Sequence, residues 1–142
     1  MVLQENNKLL SIIIPAYNEQ DNIHRTFNTI RQILNEAHIP FEILFVDDGS
    51  RDMTWPRICE LSAGLSEAKG ISFSRNFGKE SAIFAGLESA SGACCVIMDC
   101  DLQHPPAVIP EMYRLWQEGF EVVEGVKASR GQENPFHTFC AK

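Results

Sequence analysis

The sequence predicts an α/β fold, in which a mostly parallel β-sheet carries helices on both faces. Short apolar segments alternate with segments of helical periodicity, and the connections between them are short. This alternation implies crossover connections between neighbouring strands, whose helices cover both faces of the sheet. Polar residues gather where the apolar segments end. Because ligands of such sheets bind at the carboxyl ends of the strands, this pattern predicts a ligand site there.

The first half of the chain predicts two strands and two helices. Residues 9–15 are rich in Ile and predict a buried strand that Pro15 ends. Apolar residues then recur at spacings of four, three, four and three, which is typical of one face of a helix. This stripe consists of Ile23, Phe27, Ile30, Leu34 and Ala37. Pro40 closes the helix, residues 41–46 form a second apolar strand, and residues 55–65 form a second helix after a polar loop.

The second half of the chain continues the alternation. Residues 71–73 predict a short third strand, and residues 80–90 predict a helix of small residues. The apolar run 93–98 predicts a buried fourth strand, which a helix over residues 107–118 follows. Residues 120–125 predict a fifth strand. Beyond Gly125 the sequence has no clear periodicity.

Composition and charge limit the function classes. The chain has 142 residues, of which 44% are hydrophobic and 22% are charged, as expected of one globular domain. The net charge of -7 disfavours binding to nucleic acid, which requires basic surface. Five cysteines without a C-x-x-C pair fit free thiols in a reducing compartment. Since neither a signal peptide nor a transmembrane segment is visible, we expect a soluble cytoplasmic domain.

The first strand is followed by the residues P-A-Y-N-E. Tyr17 offers a ring and a hydroxyl group, and Asn18 and Glu19 offer polar contacts at the start of the first helix. N-capping by Asn18, with Glu19 favoured by the helix dipole, is the structural interpretation of this pattern. Capping is compatible with ligand contact by the same residues.

The second strand is followed by the loop V-D-D-G-S-R-D-M-T. Adjacent aspartates at a strand end, followed by Gly and Ser, suit a turn that presents a carboxylate inward. An ionised carboxylate can accept an N–H group of a nucleobase. We therefore favour ligand contact for Asp47 and Asp48, and a structural role at the start of the helix for Asp52 and Thr54.

The third strand is followed by the loop S-R-N-F-G-K-E. Two cationic residues, Arg75 and Lys79, lie on either side of its glycine just before a predicted helix. This arrangement suits the binding of a base or a diphosphate. The loop is not a P-loop, because the pattern G-x-x-x-x-G-K-[ST] is absent. Exposed Arg and Lys side chains are usually solvated, and we favour Arg75 over Lys79 as a ligand contact.

The fourth strand is followed by M-D-C-D-L-Q-H-P-P. In an extended backbone, Asp99 and Asp101 point to the same side and Cys100 points away. Paired carboxylates require compensation, and a divalent cation that also binds phosphate oxygens supplies it. The competing interpretation is an acidic turn without a ligand. We favour the metal site because the other three loops also place polar residues at strand ends. His104 carries little weight, since a lone loop histidine is most often incidental.

These four blocks, in this order, resemble the family 2 glycosyltransferases, which have the Rossmann-like GT-A fold. The resemblance covers residues 9–131. Within the family, the blocks most resemble the polyprenyl-phosphate glycosyltransferases, which are relatives of dolichyl-phosphate mannose synthase and the bactoprenol glucosyltransferases. It implies an inverting enzyme that transfers a sugar from a UDP- or GDP-sugar to a polyprenyl phosphate. It also implies Mg²⁺ or Mn²⁺ as a cofactor.

The resemblance assigns the nucleotide site to the first two loops. Pro15, Tyr17 and Glu19 correspond to residues that border the nucleotide. Asp48 corresponds to the residue that holds the base, and Asp47 is a second candidate for this contact.

The remaining implied site residues follow the later strands. Arg75 would lie against the nucleotide, and Asp99 and Asp101 are the implied catalytic pair. Asp99 would bind the ribose, and Asp101 would be the main ligand of a diphosphate-bridging metal, with Asp99 beside it. The family's G-x-R-x-x-R pattern corresponds to G-V-K-A-S-R, which makes Lys127 and Arg130 the implied phosphate-binding residues. Lysine at the first position keeps the charge but lacks the bidentate geometry of arginine.

The domain organisation predicted on this basis has three parts. Residues 1–8 form a polar arm, residues 9–131 form the nucleotide-sugar-binding domain, and residues 132–142 begin an acceptor-side region that is interrupted. Full members of the family continue into an acceptor-binding segment with a catalytic carboxylate, and many add helices that lie on or cross a membrane. With such a part, the protein would work at the cytoplasmic face of a membrane.

Two alternatives stay open. One is a truncated, inactive module that binds nucleotide and metal without transferring a sugar. The other is a metal-dependent nucleotidyltransferase, which would need a cationic phosphate loop after the first strand. The segment P-A-Y-N-E-Q contains no cation, which weighs against this second alternative.

Overall fold

The computed structural model describes residues 8–126 and 139–141, and its main body is a four-stranded parallel sheet flanked by helices. The strands of this sheet are β1 (Leu10–Ala16), β2 (Phe41–Asp47), β3 (Ala68–Ser72) and β4 (Cys94–Ile97). The helices are α1 (Ile23–Glu36), α2 (Thr54–Gly64), α3 (Lys79–Ser89) and α4 (Ile109–Gln117), and a 3-10 turn (Pro106–Val108) leads into α4. The predicted α/β fold is confirmed.

The strand order creates a crevice beside β1. The order across the sheet is β3-β2-β1-β4, so the chain builds outward from β1 to β3 and then returns to place β4 on the other side of β1. The direction of winding therefore reverses between β1 and β4. Such a topological switch point is where open α/β sheets bind their ligands.

Successive side chains of the central strands point to opposite faces of the sheet. On one face, Ile12 and Ile14 pack against the apolar stripe of α1, of which Ile23, Phe27, Ile30 and Leu34 are fully buried. Ala37, the predicted last member of the stripe, lies at the C-cap of α1 and is exposed. On the other face, α3 packs closely on the sheet, because Gly86 has no side chain. A Cβ atom at this position would lie only 2.5 Å from Cγ2 of Ile13.

The prediction that Pro15 ends the first strand is wrong. Strand β1 continues to Ala16, and Pro15 pairs in register with Val46. The Ile13 carbonyl accepts a hydrogen bond from Met98 on the β4 side. Because hydrogen-bonding direction alternates along a strand, Pro15 also turns its nitrogen toward that side, where β4 has already ended. The missing N–H group of proline therefore interrupts no ladder.

The fourth strand is not buried as predicted. Half-buried and exposed residues alternate along β4, because within residues 8–126 this strand pairs only with β1 and forms an edge of the parallel sheet. The predicted fifth strand also stands apart from this sheet. Strand β5 (Val123–Gly125) pairs antiparallel with β6 (Phe139–Ala141) in a separate two-stranded sheet.

Several sequence-based expectations fall outside the described residues, which exclude 1–7, 127–138 and 142. Nearly all of the predicted polar arm and most of the predicted acceptor-side start lie there, as do the predicted phosphate contacts Lys127 and Arg130. Among the helices that the structure describes, none is both long and apolar enough to cross a bilayer.

Candidate functional site

A pocket of about 220 Å³ opens at the carboxyl ends of β1, β2 and β4, beside the topological switch point. The residues that line it are Pro15, Ala16, Tyr17, Glu19, Asp48, Lys79, Asp99, Cys100 and Asp101. The structure thus brings together the predicted residues of the first and fourth loops with Asp48 of the second. Another cavity, of about 180 Å³, lies between β4, α4 and β5 and contains none of the predicted site residues.

The first and second loops are joined by hydrogen bonds that shape one wall of the pocket. The Asn18 N–H group donates to Oγ of Ser50 over 2.9 Å, and Oδ1 of Asn18 accepts from the Arg51 N–H group over 2.9 Å. One residue further along, the Glu19 N–H group donates to Oγ1 of Thr54 over 2.8 Å. Asn18 has a φ of 50°, a conformation that asparagine tolerates better than most residues. These bonds fix the position of Glu19 at the pocket.

The helix cap predicted for Asn18 is therefore wrong. Asn22, not Asn18, directly precedes α1, and its Nδ2 donates to the Glu19 carboxylate over 2.6 Å. Asp52 has the structural role that the sequence favours, because its carboxylate accepts the N–H group of Thr54, the first residue of α2. Asn18 instead links two loops that are distant in sequence, which local patterns do not reveal.

Asp48 joins the second loop to the third. Its side chain is only 4% exposed, and its carboxylate accepts the backbone N–H groups of Phe77 over 2.8 Å and Gly78 over 3.1 Å. A carboxylate has about four acceptor positions, so Asp48 retains capacity for a ligand N–H group. Asp47 differs, because it accepts the Ser50 N–H group within its own turn and does not line the pocket.

Asp99 and Asp101 reach the pocket by a turn rather than by an extended strand. Strand β4 ends at Ile97, and the chain turns at Cys100 and Asp101. Cys100 points into the core, and its carbonyl accepts a hydrogen bond from Oγ1 of Thr26 over 2.6 Å. Burial raises the pKa of Cys100 to about 12, so its thiol stays protonated at neutral pH and serves as a spacer. The predicted arrangement holds, but the predicted extended backbone is wrong.

Lys79, which the sequence ranked below Arg75, lines the pocket. It is the first residue of α3, and its Nζ lies 2.5 Å from Oδ1 of Asp99. The signal in the sequence is its place directly after a glycine at a predicted helix start. Arg75, which the sequence favoured, is exposed over the ring of Phe77 at 4.8 Å and is not among the pocket-lining residues.

The acidic residues fit a divalent cation that is shared with a ligand, not a closed metal centre. Asp99 and Asp101 supply hard oxygen donors to one pocket. Within the part of the chain that the structure describes, no group of three or more His, Cys, Asp or Glu side chains could hold a metal ion. Mg²⁺ often binds through one or two carboxylates and completes its coordination with water and substrate phosphates. The residues present suit that mode of binding.

Comparison with known proteins identifies the family. Residues 11–139 match the family described as glycosyl transferase family 2. An uncharacterized glycosyltransferase of Synechocystis sp. is 39% identical over 133 residues, which are 94% of this chain and 42% of that protein. A bactoprenol glucosyl transferase of Shigella phage SfV is 37% identical over 124 residues, 87% of this chain and 40% of that protein. The chain therefore spans about two fifths of the length of these curated relatives.

A solved structure confirms the fold. A mannosyltransferase of Pyrobaculum calidifontis, in complex with GDP-Man and Mn²⁺, superimposes with a TM-score of 0.70 at 21% identity. The match covers 90% of this chain and 38% of that one. At this identity the likeness concerns the α/β GT-A fold alone. On the evidence of the four loops, the family match and the relatives, the chain belongs to glycosyltransferase family 2.

Proposed function

We propose that this chain forms the donor-binding part of an inverting glycosyltransferase, which transfers a sugar from a UDP- or GDP-sugar to a polyprenyl phosphate. The observation that carries the proposal is the meeting of Asp48, Asp99 and Asp101, from the ends of two separate strands, in one pocket at the switch point. The bactoprenol glucosyl transferases among the relatives support the acceptor class. The GDP-Man and Mn²⁺ bound to the structural neighbour support the donor class and the cation.

The nucleoside end of the donor lies against the first and second loops in this proposal. The free acceptor capacity of Asp48 receives an N–H group of the base, while its bonds to Phe77 and Gly78 hold the carboxylate still. Tyr17 is 46% exposed, and its ring offers an apolar face to the base. Pro15 and Glu19 complete the border of this half of the pocket.

The diphosphate end lies against the fourth loop. Asp101 and Asp99 would hold Mg²⁺ or Mn²⁺ there, and the ion supplies positive charge that stabilises the departing nucleoside diphosphate. Asp101 also accepts the backbone N–H group of Gln103 over 3.1 Å, which orients its carboxylate. Asp99 lies beside Lys79, so the carboxylate that faces the donor already has a cationic neighbour.

The transfer itself is a single displacement. An oxygen of the acceptor phosphate forms a bond to C1 of the sugar while the bond from C1 to the diphosphate breaks, and the electron pair leaves with the nucleoside diphosphate. Attack from the face opposite the leaving group inverts the configuration at C1. An ionised phosphate is already deprotonated and needs no general base. Because a polyprenyl phosphate is anchored in a bilayer, we place the reaction at the cytoplasmic face of a membrane.

Calorimetric titration tests the donor site. UDP and GDP are titrated into the 142-residue chain with and without Mn²⁺. We expect one of them to bind in a Mn²⁺-dependent manner and Asp101→Asn to weaken this binding by about tenfold or more, which corresponds to ~1.4 kcal/mol. Asp21→Asn is the matched control, because Asp21 is exposed outside the pocket. Nucleotide binding that is absent, or indifferent to Mn²⁺ and to Asp101→Asn, would refute the proposal.

A second measurement separates transfer from binding alone. The chain is incubated with Mn²⁺, the UDP- or GDP-sugar that matches the bound nucleotide, and a short-chain polyprenyl phosphate. Formation of the glycosylated lipid phosphate, with inverted configuration at C1, would support the enzyme. Mn²⁺-dependent nucleotide binding without transfer would instead support the nucleotide- and metal-binding module.

A further inference from the structure

The ion pair between Lys79 and Asp99 joins two residues that line the pocket. Lys79 is the first residue of α3, and Asp99 belongs to the loop after β4. The pair therefore links the start of α3 to the loop after β4. Both side chains remain accessible to solvent, with 59% of Lys79 and 39% of Asp99 exposed. Such a pair can open without unfolding its surroundings.

The charges that line the pocket are unbalanced. Four carboxylates face it, those of Glu19, Asp48, Asp99 and Asp101, and Lys79 is the only cation among the lining residues of the described chain. A nucleoside diphosphate is itself anionic and would be repelled by these carboxylates. Positive charge at the diphosphate would offset this repulsion, and among the described lining residues Lys79 is the one side chain that can supply it beside a metal ion.

The position of Lys79 is fixed by its neighbours in sequence. The backbone N–H groups of Phe77 and Gly78 donate to the buried carboxylate of Asp48, which holds the loop just before α3. Since Lys79 is the first residue of α3, these bonds hold the backbone from which its side chain reaches Asp99. Asp48, the residue proposed to receive the base, thereby also sets the position of the cation.

We propose that Lys79 is an internal counter-ion, which occupies Asp99 before a divalent cation binds and transfers to the donor diphosphate when the cation takes its place. This inference rests on the proposed function and extends it. Its consequence is that the lysine opposes binding of the metal alone but favours binding of the metal together with the nucleotide. Lys79 would thereby make the two ligands bind as a unit.

Titration of Mn²⁺ alone tests the first half of the inference. We expect Lys79→Met to bind Mn²⁺ about fivefold more tightly than the wild-type chain, as removal of a competing ion pair predicts. Lys79→Arg keeps the cation and should bind Mn²⁺ with nearly wild-type affinity. Arg57→Met is the matched control for net charge, because Arg57 pairs with Glu60 on α2 outside the pocket.

Titration of UDP or GDP at saturating Mn²⁺ tests the second half. Here we expect Lys79→Met to bind nucleotide about fivefold more weakly than the wild-type chain and the Arg57→Met control. Equal Mn²⁺ affinity in the wild type and Lys79→Met would overturn the inference and leave the proposed function standing. If the wild-type chain shows no Mn²⁺-dependent nucleotide binding, the proposed function fails and the inference fails with it.

Discussion

The two ends of the sheet each carry a lysine–carboxylate pair, and the pairs have opposite surroundings. At the amino end, Lys69 of β3 pairs with Glu42 of β2, whose side chain is 4% exposed. Glu42 also accepts hydrogen bonds from Oγ of Ser11 and from the Ser91 N–H group, both over 2.6 Å. At the carboxyl end, the accessible Lys79–Asp99 pair lines the pocket.

Burial and the number of partners distinguish a structural ion pair from an exchangeable one. Glu42 joins three strands and the loop before β4, so its charge is compensated from several directions and cannot be exposed without loss of structure. Asp99 is more than one third exposed, and water or another cation can take the place of its lysine. The same chemistry therefore stabilises the fold at one end and leaves a replaceable contact at the other.

Removal of the buried carboxylate should have the largest effect on stability. We expect Glu42→Ala to lower the free energy of unfolding by about 2–4 kcal/mol, because it removes a buried carboxylate and leaves the buried Ser11 hydroxyl without this acceptor. Urea denaturation measures this change. Glu60→Ala is the control, since Glu60 forms only exposed pairs and should change stability by less than about 0.5 kcal/mol. Similar losses in the two variants would contradict the structural role of Glu42.

A glycine in the second loop, next to Asp48, provides the second test. Gly49 has a φ of 71°, and a Cβ atom there would lie 2.3 Å from the backbone carbon of Arg75. Gly49→Ala should therefore cost about 1–3 kcal/mol of stability and also weaken nucleotide binding, because it separates the second loop from the third. Gly64→Ala is the matched control, since no atom lies within 4 Å of the added group. Unchanged nucleotide affinity in Gly49→Ala would show that the contact between these loops does not shape the site.

The sequence allows the strand ends to be predicted, but not every contact between them. Continuous apolar runs identify β1 and β2, which are buried on both faces, and a period-3.6 apolar stripe identifies α1, which is buried on one. Asp48, Asp99 and Asp101 follow from their place after apolar runs. The edge position of β4 does not follow, since strand order depends on long-range pairing.

The contacts between loops were the least predictable part of the site. Asn18 bonds to residues more than 30 positions away, and Lys79 at the start of α3 pairs with Asp99 in the loop after β4. Local propensity favoured a helix cap for the first and a solvated charge for the second. The cap assignment failed because the partners of Asn18 are supplied only when the sheet brings distant loops to one edge. Lys79 remains solvated, but its ion-pair partner likewise comes from a distant loop.

The pH dependence of stability should include a contribution from Glu42. Burial raises the pKa of the Glu42 carboxyl, but hydrogen bonds from Lys69, Ser11 and Ser91 outweigh it and hold the pKa below its usual value of 4.5. The unfolded chain therefore takes up this proton first as the pH falls. The stabilisation is complete above pH 4.5 and is lost as the pH falls through the lower folded-state pKa.

Comparison with Glu42→Gln isolates this effect, because glutamine does not titrate. The stability advantage of the wild type over Glu42→Gln should be constant near neutral pH and shrink toward about pH 3 in urea denaturation. Asp99→Asn is the control from the pocket, and its difference from the wild type should be much smaller at neutral pH. If the stability advantage of the wild type over Glu42→Gln grew on acidification, the pKa of Glu42 would be raised and not lowered by folding, and this prediction would be refuted.

The smallest expected effect is the coupling of the pocket pair, and it tests the comparison most directly. A double-mutant cycle of Lys79→Met and Asp99→Asn should give a coupling energy of about 0.2–1 kcal/mol, since both groups are solvated. The corresponding cycle of Lys69→Met and Glu42→Gln should give a larger value, because Glu42 is buried. Added salt should reduce the first coupling more than the second, as screening acts mainly on exposed charges. Equal couplings with equal salt dependence would mean that the Lys79–Asp99 pair is as permanent as its counterpart, and an ammonium group held so firmly could not yield Asp99 to a metal ion.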